Sequence, residues 1–208
     1  LTLESVGYIE QHGTMFALTS KVIELGYSYF ASLPWSDLAY KNMKKVVDEC
    51  KLTCSISILD GANVVFIMRI LATRVLNEGI HIGTRFPATY TATGRLFMMN
   101  MKDDELRAYI ATLSFKQNTE KSITNPDELY NEIIKQRGQE YCLVSEELEE
   151  GLLALAVPIY NHKKKMIGTM NVGSHRSYKN TEYLKKTVLP ILLQASKDTN
   201  DAIKLLQI

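Results

Sequence analysis

The sequence predicts an α+β fold: a mainly antiparallel sheet assembled from hairpins, with helices packed on it. Three observations carry this. Thr53–Leu59 alternates polar and apolar residues, and a turn at Asp60-Gly61 leads to a second β-rich run, Val64–Ile70. The same arrangement returns late in the chain as Leu152–Tyr160, a Lys-rich loop, and Met166–Val172. Around these runs, apolar residues recur at spacings of three and four, the period of a half-buried helix.

Taken in order, Ser5–Thr19 reads as a hairpin turning at His12-Gly13. A lone hairpin is marginal in water, so it is expected to belong to something larger upstream. Thr19 or Ser20 is expected to cap a helix over Lys21–Ser32 bearing Val22, Leu25, Tyr29 and Phe30. Pro34 breaks it, and a second helix runs through Trp35, Leu38, Met43, Val46, Val47 and Cys50. After the first strand pair, a less regular strand is expected from Arg74 to Ile82. Phe86-Pro87 then opens a helical segment through Leu96, Phe97 and Met98. Asp103 or Asp104 caps the next helix. Asn125-Pro126-Asp127-Glu128 is a strong helix start, and Gly138 suits its end. Pro158 suggests an edge or a bulge in its strand. A helix from Asn180 toward Leu206, kinked at Pro190, closes the chain.

The bulk properties bound the function. The 208 residues suit one substantial domain or one domain plus a short appendage, with 46% hydrophobic and 23% charged residues as in ordinary soluble proteins. The 24 basic and 23 acidic residues leave a net charge of +1, without the basic excess of a DNA-reading domain. Cys50, Cys54 and Cys142 are too few for a disulfide framework and suit a reducing cytoplasm as buried thiols. No Cys or His partners give them zinc-site spacing, and no apolar run suggests a membrane span. No metal or cofactor is expected. The chain begins at Leu1 rather than Met, from which loss of preceding residues is expected.

Three segments can carry chemistry. The first is Gly83-Thr-Arg-Phe-Pro-Ala-Thr-Tyr-Thr-Ala-Thr-Gly-Arg95. Free N–H groups at a helix opening favour an anion, and small side chains admit a ligand to the backbone. Hydroxyls such as that of Thr91 add hydrogen bonds, and Arg85 or Arg95 can pair with a carboxylate. The same pattern also fits a capped helix with small residues for close packing. The second segment, Glu146–Gly151, reads as a solvated acidic turn leading into Ala154 and Ala156, small enough to leave a cavity or to pack tightly. The third, Asn171-Val-Gly-Ser-His175, reads as a polar strand end or a plain turn. No His-Glu-x-x-His, Gly-x-Ser-x-Gly or P-loop pattern is present, and no catalytic residue is expected.

These segments, in this order, resemble the IclR family of bacterial transcription regulators. The run Gly83–Phe97 looks like that family's helix-opening signature. Arg137-Gly138, Ser145-Glu146-Glu147 and Gly151–Pro158 resemble a second block, and Ile167–Val172 resembles the strand after it. The resemblance implies a GAF/PAS-like curved antiparallel sheet flanked by helices, cupping a small ligand. Residues 1–19 become the remnant of a winged-helix wing, 20–33 a linker helix, and 34–208 the effector-binding domain. The family pocket, carried over by position, falls on Ala92, Thr93, Val144, Ala154, Asn171 and Gly173; Thr91 and Arg85 join them as candidates from the reading of the helix opening. The Gly83–Ala88 version is similar to regulators of aromatic-acid breakdown. Family members often carry polar or acidic side chains where this chain has Val144 and Gly173, so the effector's identity is not inherited.

The expected function is therefore sensing of a small organic or aromatic acid by a cytoplasmic homodimer or homotetramer. DNA would be reached only through a missing N-terminal winged helix. One alternative is an oligomerisation module without a ligand, using Trp35 and Tyr27 or Tyr29 as exposed contacts. Another is an enzyme built on a Cys142 nucleophile.

Overall fold

The computed structural model describes residues 2–72 and 79–207. The chain divides into two compact units, Leu1–Asp37 and Leu38–Ile208.

The first unit holds a short helix α1 (Thr2–Ser5), the hairpin β1 (Ile9–His12) and β2 (Met15–Leu18), and helix α2 (Val22–Ala31). Gln11 faces Phe16 and His12 faces Met15 in the hairpin register. The expected cap of α2 is not made. The Thr19 hydroxyl instead donates to the Gly7 carbonyl at 2.6 Å, tying the end of the hairpin to the turn between α1 and β1. Lys21 occupies the cap position without a side-chain bond. Met15, Leu18, Ile23, Leu25 and Tyr27 are exposed, but Trp35 is only 3% exposed and offers no contact surface.

The second unit is built on a curled six-stranded sheet in the order β5-β4-β3-β8-β7-β6, antiparallel throughout. Its strands are β3 (Cys54–Asp60), β4 (Asn63–Ile70), β5 (Arg85–Pro87), β6 (Cys142–Ser145), β7 (Leu152–Tyr160) and β8 (Met166–His175). Gly61, at φ +58°, supplies the left-handed turn between β3 and β4. Alternation in β3 suggests a half-exposed strand, yet Cys54, Ser55, Ile56 and Ser57 are all buried. The reason is cover on both faces: β3 lies centrally, Ser55 faces a cavity, and Ser57 is buried against Asn171, which donates to its hydroxyl.

Helix α3 (Ser36–Cys50) turns Met43, Val46, Val47 and Cys50 inward. The closing helix starts as a single turn, α7 (Thr181–Tyr183), capped by Asn180. It widens into a π-helical turn over Leu184–Val188 and continues as α8 (Leu189–Leu205). The expected disturbance at Pro190 takes this form, since proline has no N–H to continue the ladder. Helix α8 packs on β7 and β8 and is tied to α3 by Asn42 Nδ2 donating to Thr199 Oγ1 at 2.9 Å.

The other face carries α4 (Ala92–Met99), α5 (Asp103–Ile110) and α6 (Pro126–Gln136). They share a core with Cys142, Val144 and Ala156. Asn125 caps α6 by accepting from the Asp127 and Glu128 N–H groups. Asp103 and Asp104 sit in the first turn of α5 rather than at its cap, where they still favour the dipole. Phe86-Pro87 does not open a helix: residues 85–87 pair with β4, a 3₁₀ turn spans Ala88–Tyr90, and α4 begins only after Thr91. The strand expected from Arg74 lies largely outside the described residues, and residues 79–82 are not strand. Pro158 lies past the stretch of β7 paired with β6, and a register shift follows at Ile159/Tyr160.

Candidate ligand cavity

A cavity of about 90 Å³ opens between the inner face of the sheet and the β5–α4 segment. A water needs roughly 10–15 Å³ by the same kind of measure, so a small organic molecule is the natural scale of occupant. The sheet contributes Ser55, Phe66, Arg69, Phe86, Ala154, Asn171 and Gly173, and the opposite wall is Tyr90–Thr93. Leu148 closes one side from the turn between β6 and β7.

Strand register explains the polar floor. Ser55 pairs with both Arg69 and Asn171, so the three side chains form one row across β4, β3 and β8. Arg69 Nη1 donates to Ser55 Oγ at 3.3 Å. Its guanidinium lies 5.7 Å from the Phe66 ring, and Phe66 meets Phe86 edge-to-face at 5.8 Å. Arg69 Nε is buried and has no hydrogen-bond partner among the described residues. No carboxylate among those residues pairs with Arg69, and burial pulls its pKa below the ordinary arginine value. A buried donor left unmade is costly, which marks this position for an incoming acceptor.

Asn171 Nδ2 donates to Ser57 Oγ at 2.8 Å and to Thr169 Oγ1 at 3.4 Å, which turns its carbonyl oxygen away from both. Thr169 also bonds Thr93 Oγ1 at 2.8 Å, joining the sheet to the start of α4. Thr91 caps that helix, its hydroxyl accepting from Gly94 N at 3.1 Å. The Ala92 and Thr93 N–H groups belong to the first turn, where the helix offers them no carbonyl.

Six of the residues singled out from sequence line this cavity: Thr91, Ala92, Thr93, Ala154, Asn171 and Gly173. Two do not. Arg85 lies on the exposed edge strand and spends its charge on Asp60, with Nη2 2.6 Å from Oδ2. Val144 points under α4, 4% exposed within the apolar core. Sequence reasoning missed Arg69, Ser55, Phe66, Phe86 and Tyr90. The available signal for Arg69 was a single charge in an otherwise apolar strand run, Val64–Ile70.

Glu147 is another correction. The acidic turn is not all solvated surface: Glu147 is 8% exposed and pairs with buried Arg95. Arg95 thus does bind a carboxylate, the protein's own. Cys142 is buried, its Sγ 3.4 Å from Gln136 Oε1, and burial pushes its thiol up to about 12. A thiol held protonated in this way is a poor nucleophile. Among the described residues no cluster of His, Cys, Asp or Glu is arranged to hold a metal, and no helix is long and apolar enough to cross a membrane.

The fold and cavity are those of an effector-binding domain, and comparison with known proteins assigns the family. The profile described as "Bacterial transcriptional regulator IclR C-terminal" matches residues 28–200, so the chain belongs to the IclR family of transcriptional regulators. It is 32% identical over 198 residues to the Pca regulon regulatory protein of Pseudomonas putida, covering 95% of this chain and 68% of that protein. Among solved structures, a transcriptional regulator of Rhodococcus sp. RHA1 superposes with a TM-score of 0.87 at 34% identity, covering 99% of this chain and 82% of that one. The inducer-binding domain of PobR from Acinetobacter, a double mutant in complex with 3-hydroxybenzoic acid, superposes with a TM-score of 0.74 at 28% identity. That match covers 79% of this chain and 96% of the PobR chain. These relatives are regulators, and the chain is a regulator rather than an enzyme.

Proposed function

We propose that this chain senses a small organic acid, with a preference for an aromatic one, and that Arg69 is the partner of the acid's carboxylate. The observation that carries the reading is a guanidinium in a cavity with an orphaned Nε and no acidic partner among the described residues. An anion would complete it by charge-assisted hydrogen bonds. The Ala92 and Thr93 N–H groups would add backbone donors. The Phe66–Phe86 pair would flank a ring, and Asn171 Oδ1 would accept from a hydroxyl. The relatives named for the Pca regulon and for a hydroxybenzoate complex lend support.

In this reading residues 1–19 are the remnant of a winged-helix wing, 20–33 a linker helix, and 34–208 the effector-binding domain. The acid shifts the equilibrium between states of a cytoplasmic dimer or tetramer that present the DNA-binding heads differently, and it must bind those states unequally. DNA is contacted through an N-terminal winged-helix domain.

The test is a thermal-shift titration with hydroxybenzoates and dicarboxylates, followed by calorimetry on wild type and Arg69→Met. Ligand at a hundredfold excess over Kd stabilises by about 2.7 kcal/mol. A saturable shift with wild type that Arg69→Met loses supports the reading. No shift at millimolar acid from a folded sample, or equal affinity in the variant, overturns it. The exposed Ile23, Leu25 and Tyr27 favour a second role in assembly for α2. Light scattering of a variant with these three changed to serine checks it, a lower mass being the expected result.

A further inference from the structure

We propose that the buried Arg95–Glu147 pair is the positioning element of this cavity, holding two of its walls in register without touching the ligand. The proposal rests on the reading of the cavity as an acid site. Neither residue lines the cavity, but both adjoin segments that do. Arg95 follows the Tyr90–Thr93 wall, and Glu147 precedes Leu148.

The pair fastens four segments at one point. Arg95 Nη2 donates to Glu147 Oε2, and Arg95 Nε donates to the Thr89 carbonyl in the 3₁₀ turn at 3.3 Å. Ser122 Oγ donates to the Glu147 carbonyl at 2.7 Å. Thr119 Oγ1 holds the neighbouring Glu146 carbonyl at 2.6 Å. The 3₁₀ turn, the opening of α4, the 119–123 segment and the turn after β6 therefore share one anchor.

Local stability does not explain the arrangement. An arginine in the first turns of a helix opposes the macrodipole. A buried ion pair is commonly no more stable than apolar residues of its volume. The fork of a guanidinium does fix direction, which apolar packing does not. The fit it secures is tight: a Cβ on Gly94 would land on the Ala88 carbonyl and backbone. Small shifts of α4 against the 3₁₀ turn are thus excluded while the pair holds.

The test uses Arg95→Met, Glu147→Leu, the double variant R95M/E147L and Arg95→Lys. Readouts are the thermal midpoint, affinity for 3-hydroxybenzoate, and amide exchange at Gly94, Arg95 and Leu152 without ligand. Each single apolar change is expected to lower the midpoint. The double variant is expected to recover it while binding at least tenfold more weakly and exchanging at least tenfold faster at those amides. Protection in β3 and β8 should stay unchanged. Recovery of the midpoint with affinity within twofold and exchange at the wild-type rate would overturn the proposal. Should the double variant not fold, Arg95→Lys decides: it keeps the charge but loses the fork, and unchanged affinity and exchange would overturn the proposal. Should wild type bind no acid, the sensor reading fails, and the exchange readout still judges the pair.

Discussion

Arg95, behind the α4 wall of the cavity, and Arg69, on its β4 wall, are both drawn out of water, and the protein treats them differently. Arg95 is 2% exposed and is matched by Glu147 and the Thr89 carbonyl. Arg69 is half-buried and, among the described residues, hydrogen-bonds only Ser55, at 3.3 Å, and leaves its Nε without a partner. Desolvation alone does not separate a structural charge from a binding one. What separates them is whether the fold supplies the counter-charge. Where it does, the charge belongs to the architecture; where it does not, the chain has left a position for a partner from outside. The two arginines should therefore respond in opposite ways to removal, one through stability and the other through affinity.

The largest effect is expected from Arg95→Met alone. It strands the Glu147 carboxylate in a buried site, and breaking a buried pair this way costs about 3–5 kcal/mol. Urea unfolding should show that loss, with little change in the slope with denaturant. A loss below about 1 kcal/mol would mean that Glu147 finds water or another donor, and the contrast between the two arginines would weaken.

Gly94→Ala comes next and sharpens the same comparison from the backbone side. Alanine improves helix propensity by about 1 kcal/mol. The added Cβ, however, meets backbone atoms of Ala88 that cannot swing aside. Overpacking costs about 1–3 kcal/mol, and a backbone obstacle puts this site at the upper end. A net loss of about 2 kcal/mol in chemical denaturation is expected. A stabilised variant would show that the 3₁₀ turn yields, and that α4 is less firmly set than the Arg95 anchor implies.

The contrast also explains which parts of the molecule were legible in the sequence. The hairpins β1–β2, β3–β4 and β7–β8 were readable because each joins two β-rich runs through a turn of recognisable chemistry. The start of α6 was readable because Asn125 and Pro126 act locally. The β6 strand went unread, since Cys142–Ser145 is four residues long and is defined by pairing with Ala156 through Leu153, far along the chain. The β5 strand and the π turn fail the same way. Within the cavity, small and polar residues at Thr91–Thr93 and Asn171–Gly173 could be seen, since chain breaks and strand ends announce them. Glu147 could not be told from Glu149 and Glu150, its exposed neighbours in one acidic run. Only Arg95, fifty-two residues away, sets it apart. Ser55 and Ser57 looked like the wet face of a strand because alternation reports two environments, and it does not say that the polar one is a buried row opening on a cavity at Ser55.

Arg69→Met is expected to reverse the stability result. It removes an unsatisfied buried donor and replaces it with an apolar chain of similar length, so stability should hold or rise slightly. Affinity for an acid ligand should fall by about tenfold to a hundredfold, the equivalent of a charged hydrogen bond of about 1.5–3 kcal/mol. Calorimetry with 3-hydroxybenzoate measures it. A matching loss of stability would place Arg69 with Arg95 among the architectural charges.

The smallest effect belongs to Arg85→Ala, and it tests whether position in sequence or position in the fold governs ligand contact. Arg85 lies three residues before the buried turn that leads into α4, which made it a natural candidate for the acid's partner. The sheet sends it elsewhere: β5 pairs Arg85 with Val65, and its guanidinium reaches across the edge to Asp60. Both partners are about half exposed, and pairs of that kind contribute about 0–1 kcal/mol. Removal should shift the thermal midpoint only slightly and leave acid affinity within twofold. A tenfold loss of affinity with unchanged stability would show that Arg85 leaves Asp60 to reach the ligand. The ligand would then be held by two arginines rather than by Arg69 alone.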